Sequence, residues 1–178
     1  MIIIKRWDCF ESRDLVRLLG IGEREVRYWS TLGIVKPEIA QAAGRPGIRR
    51  RYSFKNVVQA GLVQMLLANH ISLHTAPKIL RFVGLTGFFL QKPRELYLVL
   101  HHGDLLQAYV SYPTGRDPMK MGMPGQLTDL GHSPSQSLGE HLDALLEDPA
   151  ERDSLIVMAV HRVRDRLATQ LGRTLSDL

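Results

Sequence analysis

The chain has 178 residues, 44% of them apolar and 23% charged, which is enough for a real core in one or two soluble domains. A lone cysteine, Cys9, excludes an intramolecular disulfide and a thiolate metal cage within one chain. The opening Met1-Ile2-Ile3-Ile4 meets Lys5, Arg6 and Asp8 too soon for a signal-peptide core, and no uncharged run reaches membrane-spanning length, so a cytoplasmic protein is expected. The net charge of +5 is unevenly shared. Residues 1–84 carry 14 Lys+Arg against 6 Asp+Glu, and residues 85–178 carry 9 against 12. A basic half joined to a mildly acidic one points to a polyanion partner for the first half only.

In chain order, Ser12 is a candidate N-cap for a helix with Leu15, Leu18 and Leu19 on one face, closed by Gly20. A second helix runs from about Glu23 to Leu32. Val26 and Trp29 form its apolar stripe, Arg24, Arg27 and Tyr28 point elsewhere, and Gly33 closes it. Two short helices joined by a tight Gly-containing turn make a helix-turn-helix. The Pro46-Gly47 turn and the return Ile48-Arg49-Arg50-Arg51-Tyr52 predict a wing with three arginines at its exit. Ser53 or Asn56 caps a third helix carrying Val57, Val58, Gly61, Leu62, Met65 and Leu66, which Asn69-His70 ends. A fourth starts at Thr75, so that Pro77 falls in the tolerated first turn, and buries Ile79, Leu80 and Val83.

Residues 85–93 read as a linker. Leu96–Leu100 and Leu105–Val110 flank His101-His102-Gly103-Asp104 as a hairpin, and 113–136 is a breaker-rich loop. A short helix over Leu138–Leu146, a strand over Leu155–Val160 and a helix over His161–Leu171 follow. The last has Val163, Leu167 and Leu171 on one face. The expected fold class is α+β: a winged helix-turn-helix over 1–84, then a small α+β module over 94–178 (β-hairpin, short helix, strand, C-terminal helix) serving dimerisation, effector binding or both.

Residues 12–83, about two-fifths of the chain, resemble the DNA-binding domain of the MerR (mercury-resistance regulator) family. The matching pieces stand in order: Asp14-Leu15-Val16-Arg17-Leu18-Leu19-Gly20-Ile21, Val26-Arg27-Tyr28-Trp29, Leu32-Gly33-Ile34-Val35-Lys36-Pro37 and Arg50-Arg51-Tyr52. The resemblance implies a second helix in the major groove of double-stranded DNA, with Arg24 and Arg27 reading bases and the Tyr28 hydroxyl reaching a phosphate. It implies that Arg50 grips the backbone from the wing while Tyr52 braces it. Arg17, Arg49 and Arg51 are further candidate phosphate contacts. It also implies a homodimer on a palindromic operator and promoter bending that lets RNA polymerase engage. No nucleophile–base pair, phosphate-binding glycine loop or paired carboxylate motif stands at useful spacing, so no catalysis is expected.

Two departures from the family stand out: a long segment between Pro37 and Arg50, and Pro77 within the fourth helix. The family's long dimerising helix is also missing, since Gly84, Gly87 and Pro93 interrupt any heptad run after Val83. No cofactor or metal is expected, because His101, His102, His132, His141 and His161 match no recognised ligand spacing. Met119, Met121 and Met123 fit a mobile surface loop better than a lid over a small-molecule effector. The alternative functions are an architectural, excisionase-like DNA-bending protein and a ligand-binding domain tethered to DNA.

Overall fold

The computed structural model describes residues 9–39, 49–85, 95–101, 104–111, 127–129, 143 and 155–172. Among them the elements run β1 (Phe10–Glu11), α1 (Ser12–Leu19), α2 (Glu23–Thr31), β2 (Arg51–Tyr52), α3 (Phe54–Ala68), α4 (Ala76–Leu85), β3 (Glu95–His101), β4 (Asp104–Ser111), β5 (Leu127–Asp129), β6 (Leu155–Ala159) and α5 (Val160–Gln170). The mixture is α+β. The chain divides into two compact units, one of residues 1–68 with 163–178 and one of residues 69–162. The first unit takes in most of α5, although α5 lies about a hundred residues beyond α3. No helix of the described residues is long and apolar enough to cross a membrane.

In the first unit α1 buries Leu15, Leu18 and Leu19. Its N-cap is Glu11, one residue earlier than the expected Ser12, because Asp14 Oδ2 accepts the Glu11 backbone N–H at 2.7 Å. Gly20 ends the helix in the left-handed region at φ 67°, and its N–H returns to the Val16 carbonyl. The chain then launches α2, whose first turn is fixed when Glu25 Oε2 accepts the Gly22 N–H at 2.7 Å. Gly33, also left-handed at φ 72°, closes the far end.

The base of the wing is built differently from expectation. β2 pairs antiparallel with β1, Phe10 opposite Tyr52 and Glu11 opposite Arg51. The expected turn and outgoing part of the wing, residues 40–48, lie outside the described residues. Ser53 and Asn56 both cap α3, reciprocally: the Asn56 N–H donates to Ser53 Oγ at 3.2 Å, and the Ser53 N–H donates to Asn56 Oδ1 at 3.1 Å. The same Oδ1 accepts the Glu38 N–H at 3.1 Å, and Asn56 Nδ2 donates to Gln59 Oε1 at 2.9 Å. One buried amide therefore ties the chain leaving α2 to β2 and the head of α3. Glu38 reinforces the tie through Ser53 Oγ and Lys55 Nζ, each at 2.7 Å. Partial burial raises the Glu38 carboxyl, but the hydrogen bonds from Lys55 and Ser53 and the Lys55 charge outweigh it and hold the group below 4.5.

In the second unit, α4 has Pro77 as its second residue, where the missing N–H is tolerated, and Ile79, Leu80 and Val83 are buried. The hairpin forms as read: β3 and β4 pair antiparallel from Glu95–Ser111 to His101–Asp104, with an irregularity between Val99 and Leu100. The sheet order is β5-β4-β3-β6. β5 corrects the expectation of an unbroken loop over 113–136, since Leu127–Asp129 pairs parallel with Ala108–Val110. Leu96, Leu98 and Leu100 alternate along β3 into the core, with Met158 of β6 opposite Leu98. His161 is buried beyond β6: its Nδ1 accepts the Leu96 N–H at 3.2 Å, and its ring meets Tyr97 edge-on at 5.0 Å. Apart from Asp143, which is helical, the expected helix over Leu138–Leu146 lies outside the described residues, as does most of the linker.

Two expectations follow for stability. Gly20→Ala meets no neighbour within 4 Å but forces a side chain into the left-handed region. Urea denaturation should show a loss of about 1–2 kcal/mol. Asn56→Ala strands the Glu38 and Ser53 N–H groups and should cost about 2–3 kcal/mol. Because the Glu38 carboxyl is depressed, its contribution is complete above 4.5 and disappears as pH falls through the folded-state pKa. The difference in urea midpoint between wild type and Glu38→Gln should therefore be largest near neutrality and shrink as pH falls below 4.5.

Candidate nucleic-acid interface

α2 is nine residues long, too short to persist alone in water, so its orientation comes from what it buries. Val26 and Trp29 are each 3% exposed and turn one face inward. The helical period then presents Arg24, Arg27, Tyr28 and Thr31 outward, at spacings of three, one and three residues, and all four are exposed. Tyr28 is 54% exposed, a large aromatic left in water beside two arginines. Arg27 Nη2 rests on Glu23 Oε1 at 3.3 Å, one turn back. Thr31 was not singled out in the sequence. Its hydroxyl donates to the Arg27 carbonyl at 3.0 Å.

The remaining candidates form a second group around the β1–β2 pair. Arg49 and Arg51 are exposed and Arg50 is half-buried. Tyr52 has no exposed surface, lies opposite Phe10 across the β1–β2 pair, and keeps its hydroxyl buried without a hydrogen-bond partner. Arg17 is exposed on α1. Glu11 is the residue that sequence reading overlooked: its Oε2 accepts a hydrogen bond from Arg49 Nη1 and forms an ion pair with Arg13 Nε, each at 3.3 Å. Nothing in a two-residue strand signals such a partner, since the Arg49 contact spans 38 positions.

All three ion pairs are solvent-exposed on the arginine side, where such contacts are worth less than about 1 kcal/mol. They hold the guanidinium groups in place yet exchange readily for a stronger anion. A phosphate, which accepts bidentate hydrogen bonds, is one. Chemically the surface offers donors and positive charge and, among the described residues, no group of three or more His, Cys, Asp or Glu that could hold a metal ion. Of the five histidines considered earlier, His161 is committed to the Leu96 backbone. The side chains of the other four lie outside the described residues.

The sequence comparisons cover this part of the molecule. Residues 10–82 match the family described as MerR HTH family regulatory protein. Three curated relatives, each named an uncharacterized HTH-type transcriptional regulator, come from Mycobacterium bovis and two strains of Mycobacterium tuberculosis. Each is 41% identical over 65 residues, which is 36% of this chain and 28% of the relative. The chain thus spans just over a quarter of the length of the relatives it matches. The segment that carries the arginine face therefore lies within the stretch that is similar to the MerR helix-turn-helix family.

Proposed function

We propose that the protein is a sequence-specific, DNA-binding transcriptional regulator of the cytoplasm that grips a palindromic operator as a homodimer. The observation that carries this reading is the outward face of α2. Four side chains at helical spacing, two of them arginines, stand opposite a buried Trp29 that fixes the direction of the face. A helix of this width enters the major groove, where an arginine fork pairs with the O6 and N7 acceptors of guanine. Arg24 and Arg27 read bases, and the Tyr28 hydroxyl takes a phosphate. Arg17, Arg49, Arg50 and Arg51 hold the backbone, with Tyr52 beneath the last of them. The names of the relatives, transcriptional regulators all, agree with it.

A single helix-turn-helix buries too little surface for tight binding, and two copies held together make the second contact effectively intramolecular. The sheet-bearing segment beyond residue 94 supplies that contact, since residues 85–178 are net acidic and repel phosphate. RNA polymerase engagement follows the family's promoter-bending habit, and a small-molecule effector is compatible with the same arrangement.

Charge-neutral replacement of Arg50 should weaken binding to all DNA alike and flatten the salt slope by about one unit. Arg27→Ala or Arg24→Ala should cost about 1–3 kcal/mol, chiefly on the preferred site selected from a random duplex pool. Equal losses on specific and non-specific DNA would refute the division between reading and gripping. Sedimentation at micromolar concentration should give a dimer, and a chain that stayed monomeric both free and on DNA would refute the two-copy arrangement.

A further inference from the structure

Gly61 sits in the middle of α3 and is buried, at a position where helix propensity alone favours alanine. The reason is crowding. A Cβ built there would lie 2.8 Å from Val163 Cγ1, 3.3 Å from Leu167 Cδ1 and 3.4 Å from Leu19 Cδ2. Two side chains from α5 and one from α1 converge on a bare α-carbon, leaving no room for a methyl group. Leu167 is completely buried, and Val163, Ala168 and Leu171 nearly so. The face of α5 that the helical period predicts thus lies against α3 and the end of α1.

What α5 leans on is the joint of the helix-turn-helix. Leu19 is the last residue of α1, its carbonyl accepts Gln64 Nε2 of α3 at 2.8 Å, and the left-handed Gly20 follows at once. Three residues later α2 begins. The side chain of Leu19 is shared with α5, while its backbone is pinned to α3. A shift of α5 therefore displaces a residue that immediately precedes the turn into α2, and close-packed interiors pass on such shifts instead of absorbing them.

We propose that residues 163–171 are the seat that positions the recognition helix, with Val163, Leu167, Gly61 and Leu19 as positioning residues that never touch DNA. This seat lies outside the segment that matches the family. The functional consequence rests on the DNA-binding reading of α2; the seat itself is testable without DNA.

The test is a size-swap cycle in the full-length protein: Gly61→Ala, Val163→Ala and the pair together. Gly61→Ala lifts α5, and Val163→Ala removes the carbon it strikes, so the double variant reseats the helix. Amide hydrogen exchange should show protection lost selectively over residues 19–31 in Gly61→Ala and regained in the double variant. Affinity for the preferred site selected from a random duplex pool should fall about tenfold and recover in step. Leu167→Ala empties the seat without a clash and should give the same selective loss, which decides the matter if Gly61→Ala fails to fold. Loss spread evenly over the first unit, or no loss over 19–31, overturns the proposal. Selective loss and recovery in a protein that binds no DNA leaves the seat standing and refutes only the DNA-reading assignment.

Discussion

The inward anchoring of α2 by Val26 and Trp29 is the constraint on which the first unit turns. A nine-residue helix gains too little from its own hydrogen bonds to exist alone, and its two buried side chains supply both its stability and its direction. Once they face the core, the period of the helix leaves Arg24, Arg27, Tyr28 and Thr31 no choice but to face out. The surrounding devices serve that anchoring. Gly20 turns the chain sharply enough for α2 to begin where it does, and the Asn56 amide holds the strand after α2 against α3. Gly61 lets a distant helix close over the joint.

The charge distribution makes sense on the same frame. Arginines gather on the exposed side of α2 and around the β1–β2 pair, and each acidic residue among them in the described part of the chain has a structural task. Asp14 and Glu25 cap helices, Glu11 and Glu23 steady arginines, and Glu38 closes the knot at Ser53 and Lys55. Because the Glu11 and Glu23 pairs are solvated, the field of the surface stays positive with little stability spent on it.

Much of this was legible in the sequence because it is local. The apolar spacing of α1 and α2, the glycines at 20 and 33, the placement of Pro77 and the β3–β4 hairpin are all set by residues within a turn or two of one another. The candidate arginines were legible for the same reason: opposite faces of a helix are written in its period. What escaped reading depends on distance in the chain. The β1 strand is two residues long and carries no period, so neither its pairing with Tyr52 nor the Glu11–Arg49 contact leaves a local mark. Asn56 could be named as a cap but not as the acceptor for Glu38, 18 positions earlier. β5 lies in a stretch whose glycines and prolines read as loop, and only its parallel neighbour makes it a strand. The apolar stripe of α5 was visible, but the surface awaiting it was not.

The joining of α3 to α5 has a consequence for how the protein is made. A ribosome emits Gly61 roughly a hundred residues before Val163, an interval of about 5–20 seconds at ordinary synthesis rates. Throughout that time the groove at Gly61 is open, and the first unit lacks the side chains of Val163, Leu167 and Leu171. Closing it requires ends far apart in the chain to meet, an entropic cost that local helices do not face. The order of synthesis therefore places the completion of the arginine-bearing unit after that of the sheet, whose last strand, Leu155–Ala159, emerges first. A nascent chain cannot complete the arginine-bearing unit before Val163, Leu167 and Leu171 have left the ribosome.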